Sequence, residues 1–302
     1  MLGVLPSATL VANWFVVRRG AALGLSTLGV SLAGVLMPPI ATGLIGAAGW
    51  RTTFLVYAAA SWLLVIPAVA RFVVQRPEDA GQVPDGTSPS AAPGLGTASP
   101  GSPMLLRQRS FWLIAAVMGV NFCAMSAVLT HSVPFATDIG LSPAAAASVL
   151  SVMAGAGALS KPLFGGLTDR LDKRVVASLI SGVQLIGVLL LLSARSHPGL
   201  LVAGAIFGFG MGGVVPLHGA LIGAAFGRAA FGRVMGLMMP TMLPLASLGV
   251  PYAGYVFDRD HSYAAAFQTF IGLYLLAMLA GALLRLPESE PGTEPGLSAS
   301  AC

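Results

Sequence analysis

Apolar residues run along this chain in blocks of about twenty, separated by short charged punctuations, and that alternation predicts helices crossing ~30 Å of hydrocarbon. Nine blocks can be marked, approximately 1–16, 20–47, 51–71, 111–134, 142–165, 174–194, 199–224, 233–257 and 263–285. The first is short for a full crossing. Between residues 74 and 106 the periodicity stops and Pro, Gly, Ser and Ala take over, so a flexible linker is expected there. The division that follows is a partial bundle over 1–73, the linker 74–106, a six-span bundle over 107–286 and a disordered polar tail over 287–302.

Composition sharpens the reading. Charged residues make up 9% of the chain against about 25% in soluble proteins, while 56% are hydrophobic, so the protein is all-α and integral to a membrane. The net charge of +5 has to be read loop by loop rather than as a nucleic-acid signal. With Arg18 and Arg19 placed inside, twelve of the sixteen Lys and Arg residues fall on that side, three fall outside, and Lys161 is left within a span. The C-terminus is then inside and, for nine spans, the N-terminus outside. Cys123 and Cys302 have no spacing that suggests a disulfide or a metal site. The first fifteen residues lack the basic start and cleavage pattern of a signal peptide, so they are read as a span.

Charge is densest from Gly165 to Arg174, where Asp169, Arg170, Asp172, Lys173 and Arg174 lie between two apolar blocks. At bilayer depth each charge would cost roughly 2.5–3.5 kcal/mol, so this is a helix-to-helix turn in water. Gly165 and Gly166 allow a neighbouring helix to come close, and Asp169 is within reach of Arg170, Lys173 and Arg174 for a small charge network. The spacing G-x-L-x-D-R-x-x-K-R resembles the loop signature of the major facilitator superfamily of transporters. That family usually has Gly where Asp172 stands, and Asp tolerates the left-handed turn better than most residues.

The likeness extends along the chain. Asn13 to Gly24, with Arg18 and Arg19, resembles the loop after the fourth helix of bacterial relatives of the monocarboxylate transporters and oxalate/formate antiporters. Gly49-Trp50-Arg51, Arg76-Pro77-Glu78-Asp79-Ala80-Gly81 with Pro84-Asp85-Gly86, and Phe257-Asp258 with Ser262-Tyr263 continue the resemblance. It implies a major-facilitator-type bundle of about nine helices, a twelve-helix fold shortened by its first three, in a bacterial plasma (inner) membrane. It also implies that the loop residues Gly165, Gly166, Asp169, Arg170, Lys173 and Arg174, with Arg18 and Arg19, form a conformational switch. Asp169 is expected near the start of the second span, bracing it when the protein is open to the outside.

Three residues are candidates for lining a substrate path. Lys161 is the cation inside a span, and Lys161-Pro162 matches the Arg-Pro pair that contacts the substrate carboxylate in monocarboxylate transporters. The competing reading is a lysine that extends its ammonium to the headgroups. His131 and His218 are titratable at membrane depth, and the alternative for both is plain packing. Gly157 stands where the animal transporters place a proton-handling Asp. Pro38 and Pro39 in the second span, Pro216, and Pro240, Pro244 and Pro251 in the eighth are candidate bends, and Met235, Met238, Met239 and Met242 read as packing. No motif for an intramembrane enzyme, cofactor or metal is present. The function implied is secondary transport of small organic anions, coupled to protons or exchange. The alternatives are an exporter of drugs or other small molecules, or a transport-inactive membrane fragment.

Overall fold

A computed structural model describes residues 4–85 and 102–284, with the backbone alone for 4, 5, 34, 35, 38, 39, 42, 102 and 103. The expected tail 287–302, with Arg285 and Cys302, and residues 86–101 of the expected linker lie outside that description. The helices are α1 (Val4–Trp14), α2 (Arg19–Ala60), a π-helical turn (Ser61–Val65) leading into α3 (Ile66–Phe72), a 3-10 turn (Pro77–Ala80), α4 (Ser102–Leu106) and α5 (Arg109–Asp138). They continue with α6 (Pro143–Arg170), α7 (Lys173–Ser193), α8 (His197–Gly212), α9 (Val214–Asp260) and α10 (Ala264–Ala282). No strand occurs among the described residues, as expected where hydrocarbon forces each backbone amide to find its partner within its own helix.

Two of these elements are double. α2 breaks at Gly49 (φ 77°, ψ 162°) and α9 at Gly227 (φ 72°, ψ −179°), torsions at which a side chain is strained. Split there, with α8 continued through Gly213 into α9 and with the short α4 and the 3-10 turn set aside, the described residues form nine helical runs that match the nine apolar blocks. By length and composition six stretches qualify as membrane spans, among them 43–72 and the composite 197–260. The prolines do not make the breaks: Pro240, Pro244 and Pro251 all keep helical torsions within α9.

α5 to α10 form one bundle with two apolar cores. Around Phe111, Phe164 and Phe231 the packing reaches the basic end of the molecule, and around Phe135, Phe207, Tyr263, Phe267 and Tyr274 it reaches the other. Between α5, α7 and α10 lies a polar group the sequence did not announce. The Asn121 side-chain oxygen accepts from Gln184 Nε2 at 2.9 Å, its amide donates to Ser181 Oγ at 3.3 Å, and Tyr274 Oη donates to Gln184 Oε1 at 3.0 Å. All four side chains are fully buried, so these bonds remove what would otherwise be costly unpaired groups. α1 and α2 lie against α9 and α6, whereas residues 50–72 expose Phe54, Leu55, Trp62, Leu63 and Phe72.

The two ends differ in charge. Arg18, Arg76, Arg170, Lys173 and Arg228 gather at one, and Arg51, Arg195 and Arg259 lie at the loops of the other. With both native cysteines replaced, Asp79→Cys and Asp260→Cys are expected to react with an impermeant thiol reagent from opposite sides of the membrane. Labelling of both from one side would overturn the orientation.

Candidate functional site

Helix α2 begins without a cap of its own: Arg18 at the cap position makes no side-chain bond to the first turn. The orphan amides are met from another helix. Asp169, in the last turn of α6, accepts from Gly20 N–H at 2.7 Å through Oδ1 and from Ala21 N–H at 2.8 Å through Oδ2. A carboxylate on a helix N-terminus gains both charge-assisted bonds and the helix dipole. This geometry replaces the charge network expected within the loop. Among the described residues no Asp169 pair with Arg170, Lys173 or Arg174 lies within 4.0 Å, because the carboxylate is already bidentate on the amides.

Close approach makes the contact possible. A Cβ on Gly165 would run into the Gly20 carbonyl and stand 3.1 Å from the Ala21 Cα. One on Gly20 would stand 2.8 Å from Asp169 Oδ1, and one on Gly24 would stand 3.1 Å from the Lys161 carbonyl carbon. Gly166, expected to share this role, faces open space. Asp172 differs from expectation too. It has φ −57° and ψ 125°, not a left-handed turn, and caps α7 by accepting from Arg174 N–H at 2.8 Å.

One turn above this seam Lys161 leaves α6. The Cα–Cβ bonds of a helix tilt toward its N-terminus, which for α6 is the end away from the charged loop, and the ammonium follows. It donates to Ser31 Oγ at 2.6 Å and to the Thr27 carbonyl at 3.0 Å, both on α2. The headgroup position is thus not the one adopted. Among the described residues no carboxylate lies within 4.0 Å of Lys161. The structure places the two histidines elsewhere. His131, near the other end of α5, bonds the Val250 carbonyl through Nε2 at 3.0 Å and Tyr263 Oη through Nδ1 at 3.2 Å. A carbonyl can only accept, so Nε2 carries the proton and Nδ1 receives the tyrosine hydroxyl. His218 is fully buried, with Nε2 at 3.3 Å from Met238 Sδ and its ring edge-on to Phe122. The three share no hydrogen-bond partner. Gly157 is buried against α8, where an added Cβ would lie 2.8 Å from Met211 Cε and 3.1 Å from the Gly208 carbonyl, so a carboxylate side chain has no room.

Four further contacts surround the basic end of α2. Arg18 is exposed, but its amide, with those of Val16 and Val17, is accepted by the Asp85 carboxylate. Arg19 is buried over the Phe231 ring at 5.6 Å, with Nε donating to the Phe15 carbonyl at 3.1 Å. Arg228, next to the Gly227 break, holds Glu78 by two bonds of 2.7 and 3.0 Å. The described part of the expected linker is therefore tied down by Glu78 and Asp85. Glu78 belongs to the Arg-Pro-Glu-Asp stretch singled out in the sequence and Asp85 to the Pro-Asp-Gly that follows it; their partners are 67 to 150 residues away and had no local signal.

The Arg228 hydrogen bond holds the Glu78 carboxyl below the usual carboxylate range. A depressed value means the latch contributes in full above the ordinary Glu value of about 4.3 and is lost as the pH falls through the lower, folded one. Spin-label distances between Asp79→Cys and Gly236→Cys should stay constant from about pH 8 down through the ordinary Glu range and lengthen only in stronger acid. Glu78→Gln should abolish the acid step, which is modest because the pair is part-exposed.

The family model described as the Major Facilitator Superfamily matches residues 2–160 and again 127–300, which together span nearly the whole chain. The chain belongs to the major facilitator superfamily. Monocarboxylate transporter 13 of Bos taurus is 27% identical over 296 residues, covering 96% of this chain and 66% of that protein. The chain thus spans just under two thirds of that relative's length. Two solved structures share the fold: the transporter FucP in the outward conformation (TM-score 0.66, 12% identity, 93% of this chain and 72% of that one) and the human organic anion transporter MFSD10 (TM-score 0.66, 20% identity, 92% and 67%). As a facilitator-superfamily member with six helical stretches long and apolar enough to cross a bilayer among the described residues, the protein is an integral membrane protein.

Proposed function

We propose that this facilitator carries small organic anions by alternating access, with Lys161 as the anchor for the substrate carboxylate. The observation that carries the reading is an ammonium at membrane depth, on the seam between α2 and α6, whose partners are a hydroxyl and a carbonyl rather than an anion. Neutral oxygens take two of its three N–H donors and leave its charge unpaired, and an unpaired charge in a membrane protein marks a substrate or ion path. The names of the relatives, several of them monocarboxylate transporters, support the same class.

In this reading the Asp169 clamp, the Arg228–Glu78 pair and buried Arg19 shut the cytoplasmic end. His131 and His218 remain candidates for proton handling; each is seated within the α5–α10 bundle, away from Lys161, and would act on that bundle rather than on the substrate carboxylate. The test is reconstitution of the full chain in liposomes with radiolabelled L-lactate, oxalate and a cationic dye. Saturable counterflow of one of the two acids, lost in Lys161→Gln, is expected, with no dye movement. Dye transport without anion transport would overturn the reading in favour of an exporter.

A further inference from the structure

Ser31 differs from the two hydroxyl residues that precede it on α2. Ser26 and Thr27 donate back to the Leu23 carbonyl, each at 3.0 Å, and so use up their only proton within α2. Ser31 Oγ accepts from Lys161 Nζ at 2.6 Å and donates to nothing among the described residues. The ammonium itself has three donors, of which two are used, on Ser31 and on the Thr27 carbonyl. One uncommitted O–H and one uncommitted N–H therefore sit side by side, on helices that belong to opposite halves of the transporter. Two adjacent donors, one of them cationic, are what the two oxygens of a single carboxylate require.

We propose that Ser31 is the second ligand of the transported carboxylate, completing across the seam the clamp that Lys161 begins. In the substrate-free protein, the Ser31 hydroxyl and Thr27 carbonyl stand in for the absent anion and keep the ammonium aimed at α2. When a carboxylate arrives, one oxygen takes the ammonium and the other takes the Ser31 hydroxyl, so the anion becomes a bridge between α2 and α6. This inference rests on the carboxylate reading of Lys161 and adds to it a residue of the other half. Sequence alone pointed to no role for Ser31, because a serine in an apolar run is ordinarily satisfied by its own helix.

The experiment measures binding of radiolabelled L-lactate, and of acetate by competition, to the full chain in lipid nanodiscs. Loss of a hydrogen bond to a charged group should weaken both acids about tenfold or more in Ser31→Ala and in the near-isosteric Ser31→Cys. Ser31→Thr, which keeps the hydroxyl, should stay within a few-fold of the parent. The uncharged analogue lactamide should compete weakly and equally in all of them. If Ser31→Ala binds as well as or better than the parent while Lys161→Gln has lost binding, Ser31 is only a resting place for the ammonium and the inference fails alone. If Lys161→Gln binds like the parent, or the parent binds neither acid, the carboxylate reading fails and takes the inference with it. Unliganded thermal midpoints of the variants, compared with the parent, separate loss of a ligand from loss of fold, and Ser31→Cys carries the test if Ser31→Ala does not fold.

Discussion

Gly165→Leu is expected to hold the basic end of the protein open. An added Cβ alone would meet the Gly20 carbonyl and the Ala21 Cα, which are backbone atoms of a helix and have no rotamer to move into. Overpacking of a core costs roughly 1–3 kcal/mol when side chains can adjust, and here they cannot, so the upper end or beyond applies. A loss of ~3 kcal/mol corresponds to about a hundredfold shift against the closed arrangement. The measurement is the rate at which Ser31→Cys, in a background without native cysteines, reacts with an impermeant reagent added on the side of the basic end. It should rise by one to two orders of magnitude with Gly165→Leu and stay unchanged with Gly166→Leu, whose position faces open space. Equal rates for the two leucine variants would remove the seam as the closing contact.

Asp169→Asn is the second large effect. The amide keeps one oxygen for one N–H but turns its own N–H group toward the other, so one bond becomes a donor facing a donor. Hydrogen bonds to a charged group are worth about 1.5–3 kcal/mol, and the dipole of α2 adds roughly 0.3–1 kcal/mol for a carboxylate at its first turn. The closed population should fall at least tenfold, read by the same Ser31→Cys accessibility, and Asp169→Glu should recover part of it. Unchanged accessibility in Asp169→Asn would mean that glycine packing alone shuts this end. Since α6 also carries Lys161, the two substitutions separate cleanly: one alters the resting conformation, the other the affinity for the anion.

The helices were legible because the bilayer leaves few options: an apolar block of about twenty residues bounded by charges has one stable form, and nine blocks became nine runs. The family was legible in the charged loop around Asp169 and in Arg76 to Asp79, where several charged residues keep a fixed spacing. The partners of those charges were not legible. Asp169 was expected to pair with its neighbours in sequence, yet it reaches amides some 149 residues away, because Gly20 and Gly165 let two backbones touch. Lys161 could be picked out as a buried cation, but its choice of Ser31 and Thr27 depends on which face of α2 is turned toward α6. The Asn121–Gln184–Tyr274 group is hidden for a related reason: each member is a single polar residue in an apolar helix, and only their convergence gives them a role.

The seam of Gly20, Gly24 and Gly165 also restricts how this end can open. A gate made of side chains can leak by rotamer flips, one residue at a time, on the fast timescale of such motions. Here Gly165 meets the main chain of Gly20 and Ala21, and Gly24 that of Lys161 and Pro162, so at these two points no side chain can swing aside while the helices stay put. Passage therefore requires α2 and α6 to part as whole rods, breaking both Asp169 bonds in the same movement. Such a barrier is all-or-none, and it makes slippage of water or small ions past a shut seam a matter of collective motion rather than local fluctuation.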